Sequence, residues 1–303
     1  MGHRPLRSVP LQPADEFTFT VEDGTRLALE ADGPIDARVS VVFVHGFTLN
    51  LTSFRNQRAT LQAASGDVRR IFVDQRGFGG SERGPRGKAS IDQLALDLAE
   101  IVEAAPGRVV LVGHSMGAMV ILALAGLRPD LFGGRVRGTV LIAGAASGAE
   151  IDLHGLEGIA RRIAGPLFRT LHRGRPLVRL AGRLPYAAAA WIFHDLRSSR
   201  ENRRAFADMV VANRLDVLGD YVEAMFAYDA RPSVGELGRT ATVVVAGKSD
   251  LVTPVAANRR IVQAVRDARL VVVPHAGHMV PFENARAVDE AIADVVEKVL
   301  AQR

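Results

Sequence analysis

The most informative stretch of this chain is Arg108-Val109-Val110-Leu111-Val112-Gly113-His114-Ser115-Met116-Gly117. It places a serine between two glycines, directly after an apolar run typical of a buried strand and directly before an alanine-rich segment typical of a helix. A turn this tight between a strand and a helix holds the serine in a strained backbone conformation, with its hydroxyl projecting outward. The pattern therefore predicts Ser115 as a nucleophile.

A nucleophilic serine needs a base and a group that orients the base, and two loops near the C-terminus offer both. Asp250 and His278 each follow an apolar run that reads as a strand. The glycine before His278 favours a loop tip that can reach across a sheet, so we expect His278 to be the base and the rival His275 to be structural. For Asp250, a role as a turn or helix-cap residue before Pro254 stays open.

Cleavage of an acyl bond also needs hydrogen-bond donors for the negative oxygen that develops on the carbonyl. The residue after the nucleophile, Met116, would supply one backbone N–H. The second is expected from the loop Val44-His45-Gly46-Phe47-Thr48, where the glycine lets the backbone turn so that the N–H of Phe47 points at the site. His45 itself is predicted to be a structural histidine that bonds nearby loop backbone.

Hydrophobic patterning outside these motifs predicts an α/β protein with a mostly parallel sheet covered by helices on both faces. Residues 17–32 alternate around Asp23-Gly24, the pattern of a β-hairpin. Buried strands are expected at 39–44, 70–73, 109–112, 136–143, 241–246 and 269–273, and helices at 53–64, 90–104, 117–126, 255–266 and 287–300.

The strand and helix alternation stops near residue 146 and resumes near residue 240. The interval contains stretches that read as helices, at 156–171, 186–196, 201–211 and 217–228, and four prolines that separate them. We therefore predict a core formed by residues 1–146 and 236–303, and an α-helical cap formed by residues 147–235.

Five motifs in chain order resemble those of the α/β-hydrolase fold family, over residues 17 to 303. They are His45-Gly46-Phe47, Asp74-Gln75-Arg76-Gly77-Phe78-Gly79-Gly80-Ser81, Gly113-His114-Ser115-Met116-Gly117, Gly247-Lys248-Ser249-Asp250 and Gly277-His278. The resemblance implies an eight-stranded sheet with a helical cap inserted after the sixth strand. It also implies Ser115 as nucleophile, His278 as general base, Asp250 as its orienter, and neither a cofactor nor a metal.

Within that family, the residues narrow the chemistry without choosing the substrate. Epoxide hydrolases and haloalkane dehalogenases carry an aspartate in place of Ser115, so neither activity is expected. We expect a serine hydrolase that cleaves a carboxylic ester with an apolar acyl part through an acyl-enzyme. A thioesterase, a cofactor-free perhydrolase and a carbon–carbon bond hydrolase on the same residues stay open, and a non-catalytic ligand receptor of the same fold is the alternative from another class.

Composition supports a globular protein and removes several other functions. The 303 residues are 48% hydrophobic and include no cysteine, which excludes disulfides, thiolate metal sites and a cysteine nucleophile. The 38 basic side chains exceed the 33 acidic ones only slightly, without a basic stripe interleaved with aromatic residues outside the cap, so no nucleic acid partner is expected. No apolar stretch is long enough to span a membrane, and a soluble, cytoplasmic protein is predicted.

The predicted cap is where substrate choice would be determined. Residues 158–194 contain seven arginines and neither aspartate nor glutamate. This basic surface is either a solvated helix face over an apolar pocket or a surface that attracts anionic lipid or an acidic substrate. Candidate substrate-binding residues are His114, Trp191, Phe193 and Met225; the oligomeric state is not predicted.

Overall fold

A computed structural model describes residues 15–61, 67–85, 87, 89–152, 167 and 199–302. Eight strands form one sheet in the order β1-β2-β4-β3-β5-β6-β7-β8. Their bounds are β1 Asp15–Thr20, β2 Arg26–Asp32, β3 Val39–Val44, β4 Val68–Val73, β5 Arg108–His114, β6 Val136–Ile142, β7 Ala241–Gly247 and β8 Arg269–Val273. The pairs β1–β2 and β2–β4 are antiparallel and the other five pairs are parallel, which confirms the mostly parallel eight-stranded sheet.

Helices cover both faces of this sheet. In the described part of the chain they are α1 Arg55–Leu61, α2 Ile91–Ala104, α3 Met116–Leu127, α4 Arg200–Ala212, α5 Leu215–Ala227, α6 Val255–Ala264, α7 Val280–Glu283 and α8 Ala285–Ala301. Helices α2, α3 and α6 pack in one apolar core, and α8 packs on β5, β6 and β7 in the other. The parallel strands are buried between these layers, which is why they read as continuous apolar runs.

Helix α2 illustrates how local sequence sets an element. The Ser90 hydroxyl accepts a hydrogen bond from the N–H of Gln93 and so caps the first turn. Leu94, Leu98 and Ile101 repeat at helical spacing and are buried. The structure therefore agrees with the predicted helix 90–104 to within one residue.

Several predicted boundaries differ from the structure for physical reasons. The predicted helix 53–64 begins as a 3-10 turn, Leu51–Phe54, before α1. Strand β6 ends one residue early because Ala143 has a φ of 49°, which is incompatible with an extended strand. Helix α8 begins at Ala285 because the Asn284 side chain accepts a hydrogen bond from the N–H of Ala287. The short helix α7 was not predicted.

Helices α4 and α5 lie in the interval between β6 and β7 where the sequence predicts a cap. Most of residues 153–198, with Trp191, Phe193 and the seven arginines, lie outside the described residues. The division into a core and a 147–235 cap therefore stays a prediction.

Candidate active site

Ser115 occupies the turn between β5 and α3, at the carboxyl ends of the parallel strands. Its φ is 52° and its ψ is −114°, a backbone conformation that L-residues rarely adopt and that costs on the order of 1–3 kcal/mol. The turn is held by close packing, because a Cβ on Gly117 would lie 2.0 Å from the carbonyl oxygen of Val44. The N–H of Ser115 donates to the carbonyl of Ile142, 2.9 Å away. Backbone packing thus maintains the strained serine.

The loops after β7 and β8 bring Asp250 and His278 to Ser115. His278 Nε2 lies 2.9 Å from Ser115 Oγ, and His278 Nδ1 lies 2.9 Å from Asp250 Oδ2. All three side chains are buried, whereas the rival His275 is exposed. The three residues singled out from sequence therefore form one continuous hydrogen-bonded chain, although their catalytic roles stay predictions.

Asp250 is oriented by four donors. Its Oδ1 accepts hydrogen bonds from the N–H groups of Val252 and Thr253, and its Oδ2 faces both His278 and the Thr253 hydroxyl, 2.8 Å away. Burial by itself raises the pKa of Asp250, but the nearby His278 and the two N–H groups outweigh it and lower the pKa below its usual value. The carboxylate therefore stays ionised and fixed.

Thr253 contacts Asp250 and was not among the residues predicted from sequence. Its hydroxyl lies 2.8 Å from Asp250 Oδ2 and 2.8 Å from the carbonyl oxygen of Ala143. A signal was present in Asp250-Leu251-Val252-Thr253, since an aspartate commonly accepts hydrogen bonds from backbone N–H groups two and three residues later.

The loop after β3 forms a second strained turn beside the serine. The N–H of Leu49 donates to the carbonyl of Gly46, and Thr48 has a φ of 65°, the features of a type II turn with a non-glycine at its third position. A Cβ on Gly46 would lie 3.2 Å from Ser115 Cβ. Within the described residues, the N–H groups of Phe47 and Met116 have no acceptor. Both are therefore available to a substrate oxygen.

Two further histidines near the site are held neutral. His45 Nε2 accepts a hydrogen bond from the N–H of Gln75, and its Nδ1 lies 2.8 Å from the carbonyl oxygen of Gly46, which agrees with the predicted structural role. His114 Nε2 lies 2.9 Å from the carbonyl oxygen of His278. Burial lowers the pKa of His45 to about 4 and that of His114 to about 3, so neither ring carries charge near neutral pH.

A small cavity of about 140 Å³ reaches Ser115 and His278. Its walls include Phe47, His114, Phe206, Met225, Phe226 and Met279, so the structure places two of the four candidate substrate-binding residues there. Within the described chain no Asp, Glu, Lys or Arg lines it. A larger groove of about 870 Å³ beside α2, α3 and α5 includes none of the site residues.

The described residues contain neither a candidate metal site nor a membrane-spanning helix. No group of three or more His, Asp and Glu side chains there is placed to hold a metal ion. Among the helices of the same residues, none combines the length and apolarity needed to cross a membrane.

Comparison with known proteins assigns the family. Residues 41–291 match the alpha/beta hydrolase family, and the chain belongs to it. A provisionally named carbamate hydrolase, RutD of Variovorax paradoxus, is 28% identical over 91% of this chain and 97% of its own length. The 2-hydroxy-6-oxononadienedioate/2-hydroxy-6-oxononatrienedioate hydrolase of Burkholderia vietnamiensis is 26% identical over 93% of this chain and 96% of its own.

Among solved structures, a thermophilic esterase from Thermogutta terrifontis superposes with a TM-score of 0.73 and 25% identity. The match covers 95% of this chain and 99% of the esterase. Together, the family, the fold and these relatives identify the protein as a hydrolase.

Proposed function

We propose that the protein is a serine hydrolase that cleaves a carboxylic ester through an acyl-enzyme. The observation that carries the proposal is the hydrogen-bonded chain Ser115–His278–Asp250, with contacts of 2.9 Å and 2.9 Å. It lies next to the N–H groups of Phe47 and Met116, which have no acceptor among the described residues. A nucleophile, a base, an oriented carboxylate and two donors for an oxyanion are the parts that acyl transfer needs.

In the proposed cycle, His278 Nε2 accepts the hydroxyl proton as Ser115 Oγ bonds to the carbonyl carbon of the ester. The carbonyl electrons move to its oxygen, which accepts hydrogen bonds from the N–H groups of Phe47 and Met116. When the carbonyl re-forms, the ester C–O bond breaks and His278 returns the proton to the departing alcohol. A water molecule then repeats both steps on the acyl-enzyme, and Asp250 stabilises the transiently charged imidazole throughout.

The cavity supports an ester with a small, uncharged and apolar acyl part. A carboxylate on the acyl chain would lose its hydration there without meeting a cationic side chain in the described lining, which is costly. Similarity to the Thermogutta terrifontis esterase also supports cleavage of an ester. The second candidate, carbon–carbon bond hydrolysis, is supported by similarity to the Burkholderia vietnamiensis hydrolase, whose named substrate is a dicarboxylate.

We also propose that residues 147–235 form a cap, whose described helices α4 and α5 line this cavity. Phe206 comes from α4, and Met225 and Phe226 come from α5, so both helices contribute to its wall. Substrate choice in the proposed enzyme would then depend on this interval more than on the sheet.

Labelling with a fluorophosphonate probe tests the proposed nucleophile. Wild-type protein should take up one probe per chain, located at Ser115 by mass spectrometry, and Ser115→Ala should take up none. Ser53→Ala is the matched control, because Ser53 is also buried and its hydroxyl has no hydrogen-bond partner among the described residues. Folded wild-type protein that stays unmodified would show that Ser115 is not a reactive nucleophile.

A substrate panel separates the two candidate reactions. We expect turnover of p-nitrophenyl esters with short acyl chains, abolished in Ser115→Ala. Faster turnover of a vinylogous diketone acid than of any ester would instead favour carbon–carbon bond hydrolysis.

A further inference from the structure

Asn213 connects the interval between β6 and β7 to the turn that carries Phe47. It follows the last residue of α4, and its side-chain Nδ2 donates hydrogen bonds to the carbonyl oxygens of Thr48, 2.6 Å away, and Met209, 2.8 Å away. Both neighbours are carbonyls that can only accept, so this amide orientation is the one that satisfies them. The two hydrogens of Nδ2 are both used in bridging α4 to the turn.

The acceptor of this bond, Thr48, is the strained residue of the turn. A positive φ in a residue with a Cβ persists only where surrounding contacts maintain it. The peptide unit that contains the Thr48 carbonyl also contains the Leu49 N–H, which donates to the carbonyl of Gly46, 3.2 Å away. That carbonyl shares one planar peptide unit with the Phe47 N–H, so holding the Thr48 carbonyl also holds the direction of the Phe47 N–H.

Apolar packing places α4 on the same loop. Leu49 of the loop shares a buried cluster with Phe206 and Met209 of α4 and with Met279, the residue after His278. Asn213 is the polar member of this contact, and it acts on the backbone of the turn directly.

We propose that Asn213 is a positioning residue for the oxyanion site, holding Thr48 in its positive-φ conformation so that the Phe47 N–H stays aimed at the substrate oxygen. This inference rests on the proposed function for the identity of that oxygen. The Phe47 N–H bonds it most strongly as negative charge develops, so loss of Asn213 should lower kcat and change KM little.

The principal test compares Asn213→Ala with Asn202→Ala. Asn202 is the matched control, because it lies in the first turn of α4 and its Nδ2 also donates to a backbone carbonyl, that of Phe282 at 2.9 Å. We expect kcat for a p-nitrophenyl ester to fall about 10-fold or more in Asn213→Ala, with KM within about two-fold, and to fall no more than about two-fold in Asn202→Ala. Equal losses in the two variants would overturn the proposal.

Thr48→Gly supplies the rescue. Glycine adopts positive φ without strain, so Asn213→Ala/Thr48→Gly should regain at least about three-fold in kcat over Asn213→Ala. A merely destabilising role for Asn213 predicts no such recovery, and a double variant no faster than Asn213→Ala would contradict the mechanism.

Hydrogen–deuterium exchange of residues 45–51 decides the structural claim without any substrate. Exchange should be faster in Asn213→Ala and unchanged in Asn202→Ala; identical exchange in wild type and Asn213→Ala would overturn the inference. If the wild type neither reacts with fluorophosphonate nor cleaves esters, the proposed function fails, yet this exchange measurement still shows whether Asn213 holds the turn.

Discussion

Two strained turns flank the site, and they are maintained in different ways. The turn at Ser115 is held by backbone packing within the sheet, where Gly117 lies against the Val44 carbonyl. The turn at Thr48 is held by a side chain, Asn213, that is 165 residues away in the chain. One proposed oxyanion donor, the Met116 N–H, is therefore as rigid as the sheet, whereas the other depends on the interval between β6 and β7.

The interval between β6 and β7 can therefore act on the proposed oxyanion site through the turn of Phe47. Packing of α4 on Leu49 and Met279 touches both the turn of Phe47 and the loop of His278, but not the turn of Ser115. Changes in the interval should therefore alter the proposed oxyanion site before they alter the nucleophile.

The largest expected effect comes from removing the donor on the side-chain-held turn. Phe47→Pro deletes the N–H, and proline is well tolerated at the second position of a type II turn, so the fold should persist. We expect kcat to fall by about 10²–10³, roughly 3–4 kcal/mol, against a p-nitrophenyl ester. Phe47→Ala is the control, since it loses the same ring and keeps the N–H. Equal kcat values for the two variants would mean that the Phe47 N–H does not stabilise the oxyanion.

The next largest effect concerns the turn at Ser115, which is held by close packing. Gly117→Ala forces a Cβ against the Val44 carbonyl, so the free energy of unfolding should fall by about 2–3 kcal/mol in urea titrations. Gly235→Ala is the comparison, because the nearest atom to its added Cβ is 3.7 Å away, and its effect should stay within about 0.5 kcal/mol. Similar losses for the two variants would mean that close packing does not maintain the serine turn.

Acid should weaken both turns through their neutral histidines. The pKa of His114 is about 3 in the folded protein and that of His45 about 4, against ordinary values of 6.5, so the unfolded chain binds protons first as the pH falls. Stability from each histidine is therefore present above pH 6.5 and declines below it, by about 2 kcal/mol at pH 5.

Comparing wild type with a variant that lacks one histidine isolates the contribution of that histidine to stability. The difference in unfolding free energy between wild type and His114→Gln should shrink by about 2 kcal/mol from pH 7 to pH 5, and likewise for His45→Gln. Such differences cancel Asp74 and Asp289, whose pKa values burial raises to about 6 and whose stabilisation runs the opposite way, being lost as the pH rises. A pH-independent difference would indicate that the histidine titrates alike in folded and unfolded states.

The smallest effect concerns a third turn with positive φ, at Ala143, whose carbonyl lies beside the Thr253 hydroxyl. Thr253→Val deletes this hydroxyl and one of the donors that orient Asp250, and kcat should fall about 10-fold, near 1.4 kcal/mol. Thr253→Ser keeps the hydroxyl and should stay within about three-fold of wild type. If the serine and valine variants have the same kcat, the hydrogen bond of the hydroxyl does not account for the effect.

Much of the fold followed from local pattern. Continuous apolar runs predicted the buried parallel strands, and Ser90 with its helical face predicted α2, because burial and capping are properties of neighbouring residues. Boundaries were less predictable: Ala143 is apolar like the strand before it, and only its φ of 49° shows that β6 has ended. The short helix α7 offered too few residues for a periodic signal.

Local patterns in the sequence predicted the family, the succession of strands and helices along the chain, and Ser115, Asp250 and His278 as candidate site residues, because a turn between glycines and loops after apolar runs leave short, local signatures. The contacts that maintain this arrangement were not predictable, because they join residues that are distant in the chain. Thr48 has a positive φ although nothing in the adjacent sequence predicts it, and its hydrogen-bond partner Asn213 is remote in the chain. A hydrogen bond between such residues depends on how α4 packs on the core, which no local pattern records.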